Sequence, residues 1–304
     1  MRLVTFDLDG QERIGAQVER SGENYVLDLN QAQSALPAEM DAFLTAGIPA
    51  LIMARRALQE AKKNAFLPEP TIQLTAPVPY PGKIICLGHN YHDHIGKDRT
   101  QPSEFPTFFC KTGNTVIGPG APIVIPPETA KADFEAELAV VIGRRARRIT
   151  EADAPSCIAG YTIFNDVSAR DYQKRTSQWM IGKSFDTFGP MGPVLVTADE
   201  IPDPHALDLV LTLNGVVRQK TNTSRMIFTI PFLIATLSAV MTLEPGDVIA
   251  TGTPAHIAAA PGAPEFMQPG DIVRITVKKI GVLENPVVVE VISGPKSPAT
   301  NAPG

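Results

Sequence analysis

Short apolar runs separated by turn-forming residues dominate the chain after residue 82 and predict β-strands. These runs cover residues 83–87, 136–142, 208–213, 248–250, 271–278 and 287–292. The run that stops at residue 213 is followed by Asn214-Gly215, a strong signal for a two-residue hairpin turn. We therefore predict that this part of the chain is α+β in class and consists mostly of strands.

Helical spacing occurs in two places. Residues 40–66 predict helices that are interrupted near Gly47 and Pro49, and residues 230–241 predict a helix that begins after Thr229. Before them, residues 1–6 and 25–29 predict short strands.

Residues 76–82 contain three prolines, which interrupt helices and central strands alike. We therefore expect a small N-terminal domain over residues 1–76 and a larger domain over residues 77–292. The last segment, residues 293–304, is rich in Pro, Ala and Ser and is expected to be a disordered tail.

Composition narrows the classes of function. The net charge is −5 and no basic cluster carries aromatic residues, so a nucleic-acid partner is not expected. No segment approaches the roughly 20 apolar residues of a membrane span, and the N-terminus lacks the apolar core of a secretion signal. The three widely spaced cysteines argue against a disulfide framework and favour a reducing compartment, so we expect a cytoplasmic protein.

Two acids in the strand-like run that begins near residue 133 are the first candidates for chemistry. Because alternate side chains of a strand share a face, Glu135 and Glu137 point the same way, with Cα atoms ~7 Å apart. One interpretation is a half-exposed strand whose acids face water. The other is a buried strand, in which a bound cation would relieve both the repulsion and the desolvation of the two carboxylates.

A third acid, Asp166, closes another apolar run and precedes a helix-like stretch that carries Arg170 and Gln173. Asp166 is therefore either an N-cap of that helix or a third metal ligand. Three carboxylates without a His or Cys pair at ligand spacing favour Mg²⁺ or Mn²⁺. Lys183 follows a glycine among apolar and aromatic residues, and is either a surface lysine or a buried lysine that contacts an anion.

Five segments in order, residues 88–94, 133–138, 164–171, 182–187 and 245–254, resemble the fumarylacetoacetate hydrolase family, and in particular its acylpyruvate hydrolases. The similarity extends from residue 83 to about residue 290, which is roughly two-thirds of the chain. It implies a mixed β-roll catalytic domain, a variable N-terminal region and a homodimer. It also implies that Glu135, Glu137 and Asp166 bind the metal.

The resemblance assigns substrate binding or catalysis to six further residues: Tyr91, His94, Arg170, Gln173, Lys183 and Thr253. In such enzymes the lysine, arginine and glutamine surround the substrate's oxygens, and the threonine holds its carboxylate. The residue matching His94 lies on a segment that closes over the site and activates water. A zinc site formed by His89, His92 and His94 is a weaker hypothesis, because only His94 has a counterpart in the family.

The reaction that the resemblance favours is metal-dependent hydrolysis of a carbon–carbon bond in a small 2,4-diketo acid, such as an acylpyruvate, a fumarylpyruvate or a 2,4-diketo-3-deoxy sugar acid. One departure matters: hydrolases of this family often pair the histidine with a glutamate three residues later, and here that position is Lys97. Either Asp98 or Glu104 replaces the glutamate, or the reaction needs no activated water. Oxaloacetate decarboxylation and hydroxymuconate-type isomerisation meet the second condition, and a non-catalytic binding protein is a further alternative.

Overall fold

The computed structural model describes residues 1–94, 104–258 and 265–291, without the side chain of His94. The helices within these residues are α1 (Leu29–Ala32), α2 (Met40–Glu60), α3 (Arg170–Gln173), α4 (Met180–Lys183) and α5 (Ile230–Val240). The strands are β1 (Arg2–Leu8), β2 (Gln11–Arg20), β3 (Glu23–Asp28), β4 (Phe66–Pro68), β5 (Gln73–Leu74), β6 (Ile84–Gly88), β7 (Thr107–Lys111), β8 (Val116–Ile117), β9 (Ile123–Ile125), β10 (Ala132–Asp133), β11 (Ala136–Ile142), β12 (Ile158–Asn165), β13 (Ser168–Ala169), β14 (Gly189–Thr197), β15 (Asp208–Leu213), β16 (Val216–Asn222), β17 (Val248–Ala250), β18 (Ile272–Val277) and β19 (Gly281–Val289).

Two mixed sheets organise these strands. The larger sheet has the order β4-β3-β2-β1-β14-β12-β11-β17-β6-β7, with β5 paired to β1 and β8 paired to β14. The smaller sheet has the order β16-β15-β18-β19-β9, and β10 pairs with β13. Most neighbours are antiparallel, but β17 runs parallel to β6, β8 to β14, and β9 to β19. The mostly β, α+β class predicted from the sequence is confirmed.

Strand β11 lies at the centre of the molecule, and all of its residues are buried. Its side chains alternate between two apolar clusters, as the pleat of a strand requires. Leu138 and Val140 pack in the cluster that contains the small sheet's Ile275, whereas Val141 packs in the cluster that contains Phe43 of α2. The small sheet and the N-terminal helix therefore cover opposite faces of the same strand.

Local sequence signals placed several elements correctly. The predicted strands at residues 136–142 and 208–213 coincide with β11 and β15. Asn214 and Gly215 have φ values of 52° and 79°, the left-handed pair that a tight hairpin turn needs. Helix α5 begins where predicted, because the Thr229 side chain accepts a hydrogen bond from the Phe232 amide.

Two predicted boundaries were wrong. Strand β19 begins at Gly281 rather than residue 287, because it pairs with β18 along its length and buries Leu283 and Asn285 although its middle is not an apolar run. Helix α2 ends at Glu60, before the predicted residue 66, because Phe66 begins β4 and pairs with β3. The interruption predicted inside α2 is present, since Gly47 has non-helical torsion angles.

The N-terminal segment shares a sheet with the rest of the chain. Arg2 and Leu3 of β1 pair with Val196 and Leu195 of β14, so the larger sheet continues across the predicted boundary at residue 76. The division into domains at residues 1–76 and 77–292 remains a prediction. The predicted tail, residues 293–304, lies outside the described residues, as do Lys97 and Asp98. Among the residues described, no helix has the length and apolar character needed to cross a membrane.

Candidate metal and substrate site

The start of β11 and the end of β12 bring three carboxylates together. Because these strands are antiparallel, Ala136 lies opposite Asn165, and the residues just outside that pair are neighbours. The Asn165 side chain accepts a hydrogen bond from the Glu135 amide (3.0 Å), and the Glu135 carbonyl accepts one from the Asp166 amide (2.9 Å). One ligand atom from each of Glu135, Glu137 and Asp166 lies within 4.8 Å of the others.

All three acids are buried, with 5%, 0% and 0% of their surfaces exposed for Glu135, Glu137 and Asp166. The interpretation of a half-exposed strand with acids facing water is therefore wrong. The alternative of Asp166 as a helix N-cap is also wrong, because α3 begins at Arg170 and its N-cap position is Ala169. The structure brings together the three residues that the sequence predicts as metal ligands.

Glu137 shows that the acids fit a hard divalent ion. Its Oε2 accepts a hydrogen bond from the Gly252 amide (2.7 Å), but its buried Oε1 has no hydrogen-bond partner among the described residues. Burial, followed by the charges of Asp166 and Glu135, raises the pKa of Glu137 well above its ordinary value. An Mg²⁺ or Mn²⁺ ion held by the three carboxylates would give this oxygen a partner and offset the repulsion.

Two buried lysines lie against the acids. The Lys183 Nζ donates to Glu135 Oε2 (2.5 Å) and Asp166 Oδ2 (2.6 Å), so the alternative of a surface lysine is wrong. Although burial opposes the ammonium, the charges of Asp166 and Glu135 raise the pKa of Lys183. The Lys111 Nζ donates to Asp166 Oδ1 (2.8 Å) and to the Val167 carbonyl (2.9 Å), and burial lowers the pKa of Lys111.

The sequence interpretation missed Lys111. The available signal is the same as at Lys183, a lysine that closes an apolar and aromatic stretch, here Phe108-Phe109-Cys110. Lys111 is at the end of β7, an edge strand of the larger sheet, and its proximity to Asp166 depends on the order of strands.

Arg170 is fixed by three partners. Its guanidinium donates to Asp133 Oδ2 (2.8 Å), Glu135 Oε1 (2.6 Å) and Gln173 Oε1 (2.9 Å). Burial disfavours its charge, but Glu135 and Asp133 outweigh it and raise the pKa of Arg170. In return, Arg170 and Lys183 overcome the effect of burial and hold the pKa of Glu135 well below its ordinary value. The sequence interpretation did not assign a role to Asp133.

The turn at residues 251–254 packs against β11 beside Glu137. Thr251 Oγ1 donates to the Leu138 carbonyl (2.7 Å), and the Gly252 amide reaches Glu137. Gly252 has a φ of 99°, and a Cβ there would lie 2.7 Å from the Cβ of Asn90. Only glycine therefore fits at this position without a shift of the backbone. The turn places Thr253, which is 4% exposed, beside the acids' strand.

A cavity of about 340 Å³ adjoins these groups. Glu135, Arg170, Gln173, Lys183 and Thr253 line its polar side. Its other side is aromatic: Trp179 lines the cavity together with Phe109 and His89, and the Trp179 ring makes edge contacts with both.

Tyr91 is buried and is not among the residues that line the cavity, and its hydroxyl has no hydrogen-bond partner among the described residues. Burial, followed by the charge of Glu137, raises the pKa of Tyr91. The side chain of His94 lies outside the described part of the chain. His92 is exposed, and neither it nor His89 belongs to a group of potential metal ligands among the side chains that are described. The hypothesis of a zinc site therefore gains no support here.

Comparison with known proteins agrees with this arrangement. A family model described as the C-terminal region of fumarylacetoacetate (FAA) hydrolase matches residues 83–288. The mitochondrial oxaloacetate tautomerase of Xenopus laevis is 42% identical over 292 residues, which is 95% of this chain and 90% of that protein.

Two solved structures share the fold across nearly the whole chain. The maleylpyruvate hydrolase from Sphingobium sp. SYK-6, in complex with manganese(II) ion and pyruvate, is 34% identical with a TM-score of 0.78 and covers 95% of this chain and 99% of its own. The 5-carboxymethyl-2-hydroxymuconate delta-isomerase from Mycobacterium smegmatis is 34% identical with a TM-score of 0.76. The match covers 96% of this chain and 100% of the isomerase chain. These proteins include both hydrolases and isomerases.

Proposed function

The chain belongs to the fumarylacetoacetate hydrolase family, and from that premise we propose that it is a divalent-metal-dependent tautomerase of small 2-oxo dicarboxylic acids, with oxaloacetate as the first candidate substrate. The observation that carries the proposal is Lys183, a buried ammonium that lies between two of the three acids and lines the cavity. A tautomerase must hold and move one proton beside an enolate, and this group is placed to do so.

The acids Glu135, Glu137 and Asp166 would hold the ion, which when bound would polarise the 2-oxo oxygen and stabilise the enolate. Arg170 and Gln173 present donors on the polar side of the cavity and orient the substrate's oxygens. The aromatic side formed by Phe109, Trp179 and His89 excludes water from the reacting carbon.

Proton transfer is assigned to Lys183. Its pKa is raised, so the nitrogen carries a proton at neutral pH. Its Nζ gives that proton to carbon 3 of the enol and regains one from the enol hydroxyl, so the keto form results without gain or loss of atoms. No step of this reaction requires an activated water, which agrees with Lys97 in place of the family's glutamate.

Hydrolysis of an acylpyruvate or related 2,4-diketo acid is the second candidate, and it is the reaction that the sequence motifs alone favoured. The likeness to a maleylpyruvate hydrolase with manganese and pyruvate supports it, because that protein shares 34% of its residues and its fold with this chain. The absence of a glutamate at position 97 counts against it. For either reaction we propose Mg²⁺ or Mn²⁺ as the ion and a homodimer as the assembly.

The test follows the enol absorbance of oxaloacetate with chelator-treated protein, and then with Mg²⁺ or Mn²⁺ restored, against blanks that contain the ion alone. We expect faster enol decay only with protein and ion together, and keto oxaloacetate as the product by NMR. Lys183→Met should abolish the acceleration, whereas Lys278→Met, a change at an exposed lysine, should not.

Other products distinguish the alternatives. Pyruvate and carbon dioxide from oxaloacetate would indicate a decarboxylase, and pyruvate with acetate from acetylpyruvate would indicate the hydrolase. A protein that binds the ion but accelerates none of these reactions would contradict the tautomerase proposal and support a binding protein.

A further inference from the structure

Gln219 connects the turn at Thr253 and Pro254 to the start of β11 through one buried amide. It belongs to β16 in the smaller sheet and is 0% exposed. Its Nε2 donates to Thr253 Oγ1 (2.8 Å) and to the Pro254 carbonyl (2.8 Å), and its Oε1 accepts from the Ala136 amide (2.9 Å). Both donors and the carbonyl oxygen of the amide are therefore engaged.

The partners of Gln219 explain why this link matters. Ala136 lies between Glu135 and Glu137, so the Oε1 contact joins Gln219 to the backbone between two of the three acids. Pairing of β11 with β12 holds the same backbone independently of Gln219. Thr253 lines the same cavity as Glu135. Because Thr253 Oγ1 accepts a hydrogen bond from Gln219, the position of that hydroxyl depends on the Gln219 amide.

We propose that Gln219 is a positioning residue for the turn at residues 251–254: it sets the place of the Thr253 hydroxyl relative to Glu135 and Glu137. This inference rests on the proposed function, because it supposes that the site binds a 2-oxo acid whose carboxylate contacts Thr253. A substrate whose carboxylate contacts Thr253 while its 2-oxo group lies beside the acids then requires a fixed distance between Thr253 and the acids.

The rest of the turn does not depend on Gln219. The Asn90 side chain donates to the Thr251 carbonyl (2.7 Å), Thr251 Oγ1 donates to the Leu138 carbonyl, and the Gly252 amide donates to Glu137. A substitution at position 219 should therefore move Thr253 and Pro254 while the acids and the first half of the turn stay in place. Carboxylate binding should weaken and metal binding should not.

Two substitutions separate the donor contacts of Gln219 with Thr253 and Pro254 from its acceptor contact with Ala136. Gln219→Met has similar length but removes the donors and the acceptor. Gln219→Glu keeps an acceptor for the Ala136 amide but, when ionised, takes the hydroxyl hydrogen of Thr253 for itself. Gln17→Met is the matched control, since Gln17 is a second buried glutamine that hydrogen bonds with Arg2 and Glu69, far from the site in sequence and contacts.

The experiment titrates the Mn²⁺-loaded protein with oxalate and follows the fluorescence of Trp179, the chain's one tryptophan, which lines the cavity. We expect Gln219→Met and Gln219→Glu to raise the oxalate Kd about tenfold or more, the effect of a lost hydrogen bond to a charged group. The Mn²⁺ Kd, measured by EPR of the free ion, should stay within twofold of the wild-type value. Gln17→Met should change neither constant.

A double-mutant cycle shows whether Gln219 acts through Thr253. In a Thr253→Val background, Gln219→Met should weaken oxalate binding by less than a further twofold, because the group that it positions is already gone. An additive effect, or a parallel loss of Mn²⁺ binding, would overturn the proposal. So would a wild-type protein that binds Mn²⁺ but no oxalate.

A different result would refute the proposed reaction without refuting the role of Gln219. A wild-type protein that binds oxalate but does not accelerate the tautomerisation of oxaloacetate would refute the proposed reaction and leave the positioning role of Gln219 measurable. If Gln219→Met fails to give a cooperative melting curve, Gln219→Glu carries the same cycle, because it retains the contact with Ala136.

Discussion

At the residue scale, the site places three buried carboxylates beside three largely buried cations, Lys111, Arg170 and Lys183. Glu135 and Asp166 each contact a buried lysine or arginine, whereas Glu137, among the residues described, accepts a hydrogen bond only from a backbone amide. Its charge is therefore the least compensated of the three without an ion. Glu137 is therefore the acid whose charge most destabilises the metal-free protein, and it is also the acid whose charge a bound ion would compensate most.

Glu137→Gln should stabilise the metal-free protein. The amide keeps an acceptor for Gly252 and removes a charge whose folded pKa is raised. A raised pKa contributes stability below the unfolded value of about 4.3, and that contribution is lost as the pH rises through the folded pKa. The variant's advantage in free energy of unfolding should thus grow from pH 5 to pH 8, where we expect roughly 1–3 kcal/mol.

Urea unfolding of chelator-treated protein at both pH values measures this difference. Added Mn²⁺ should then stabilise the wild type and not the variant, because a ligand that binds only the folded state raises its stability. An advantage that does not change with pH would show that the charge of Glu137 is not its source.

Lys111 is the second informative residue, because it neutralises Asp166 from β7, a strand that carries none of the other charged residues of the site. Lys111→Met should lower the free energy of unfolding of the metal-free protein by roughly 3–5 kcal/mol, since it leaves a buried carboxylate with one partner fewer. Mn²⁺ should stabilise the variant more than the wild type, because the ion compensates for part of the missing charge.

Melting temperatures with and without Mn²⁺ measure how much the ion stabilises the Lys111→Met variant; this difference is the metal increment. The control is Lys83→Met, which removes a half-exposed lysine paired with Asp247 and should leave the metal increment at its wild-type value. Equal increments in all three proteins would mean that Lys111 does not contribute to the charge balance at the site.

At the element scale, two one-turn helices carry the substrate-facing side chains. Helix α3 presents Arg170 and Gln173, and helix α4 ends at Lys183. The two approach so closely that a Cβ on Gly182 would lie 2.4 Å from the Gln173 nitrogen and 2.6 Å from its Cα. Helices this short are not stable by themselves, so their mutual packing determines where the three side chains lie.

Gly182→Ala should therefore separate α3 from α4. We expect a loss of about 1–3 kcal/mol in stability from overpacking and a roughly hundredfold loss of activity from displaced side chains. Gly113→Ala is the matched control, because a Cβ at Gly113 meets no atom within 4 Å. Steady-state kinetics and melting curves of both variants give the result, and wild-type activity in Gly182→Ala would refute this dependence.

At the scale of the whole molecule, the site depends on how the two sheets meet. The larger sheet supplies the acids and Lys111, and the smaller sheet reaches the same point through Gln219. The N-terminal segment packs on the opposite side of β11 and extends the larger sheet through β1. All three parts therefore hold the central strand.

Removal of residues 1–76 tests whether the N-terminal segment is an independent domain. The truncated chain would expose the edge of β14 and an apolar face that includes Val141, Phe164 and Leu195. We expect aggregation or a non-cooperative melting curve, because exposed edges and large apolar patches favour association. A soluble, cooperatively melting fragment with metal-dependent activity would instead support the predicted boundary.

The sequence by itself determined the features that arise from near neighbours. The Asn214-Gly215 turn, the buried run of β11 and the start of α5 at Thr229 each follow from a few adjacent residues. The alternation that sets Glu135 and Glu137 on one face has the same origin, because a strand's pleat is a local property.

Only the tertiary structure decided which distant groups meet there. Lys111, Asp133 and Gln219 come from three different strands, and nothing in their local patterns shows that they contact Asp166, Arg170 and Thr253. The proline-rich segment at residues 76–82 likewise predicted a domain boundary and gave no sign that β1 pairs with β14 in one sheet. A pattern of side chains shows which face of an element is buried, but the partner that buries it is set by the order and register of the sheets.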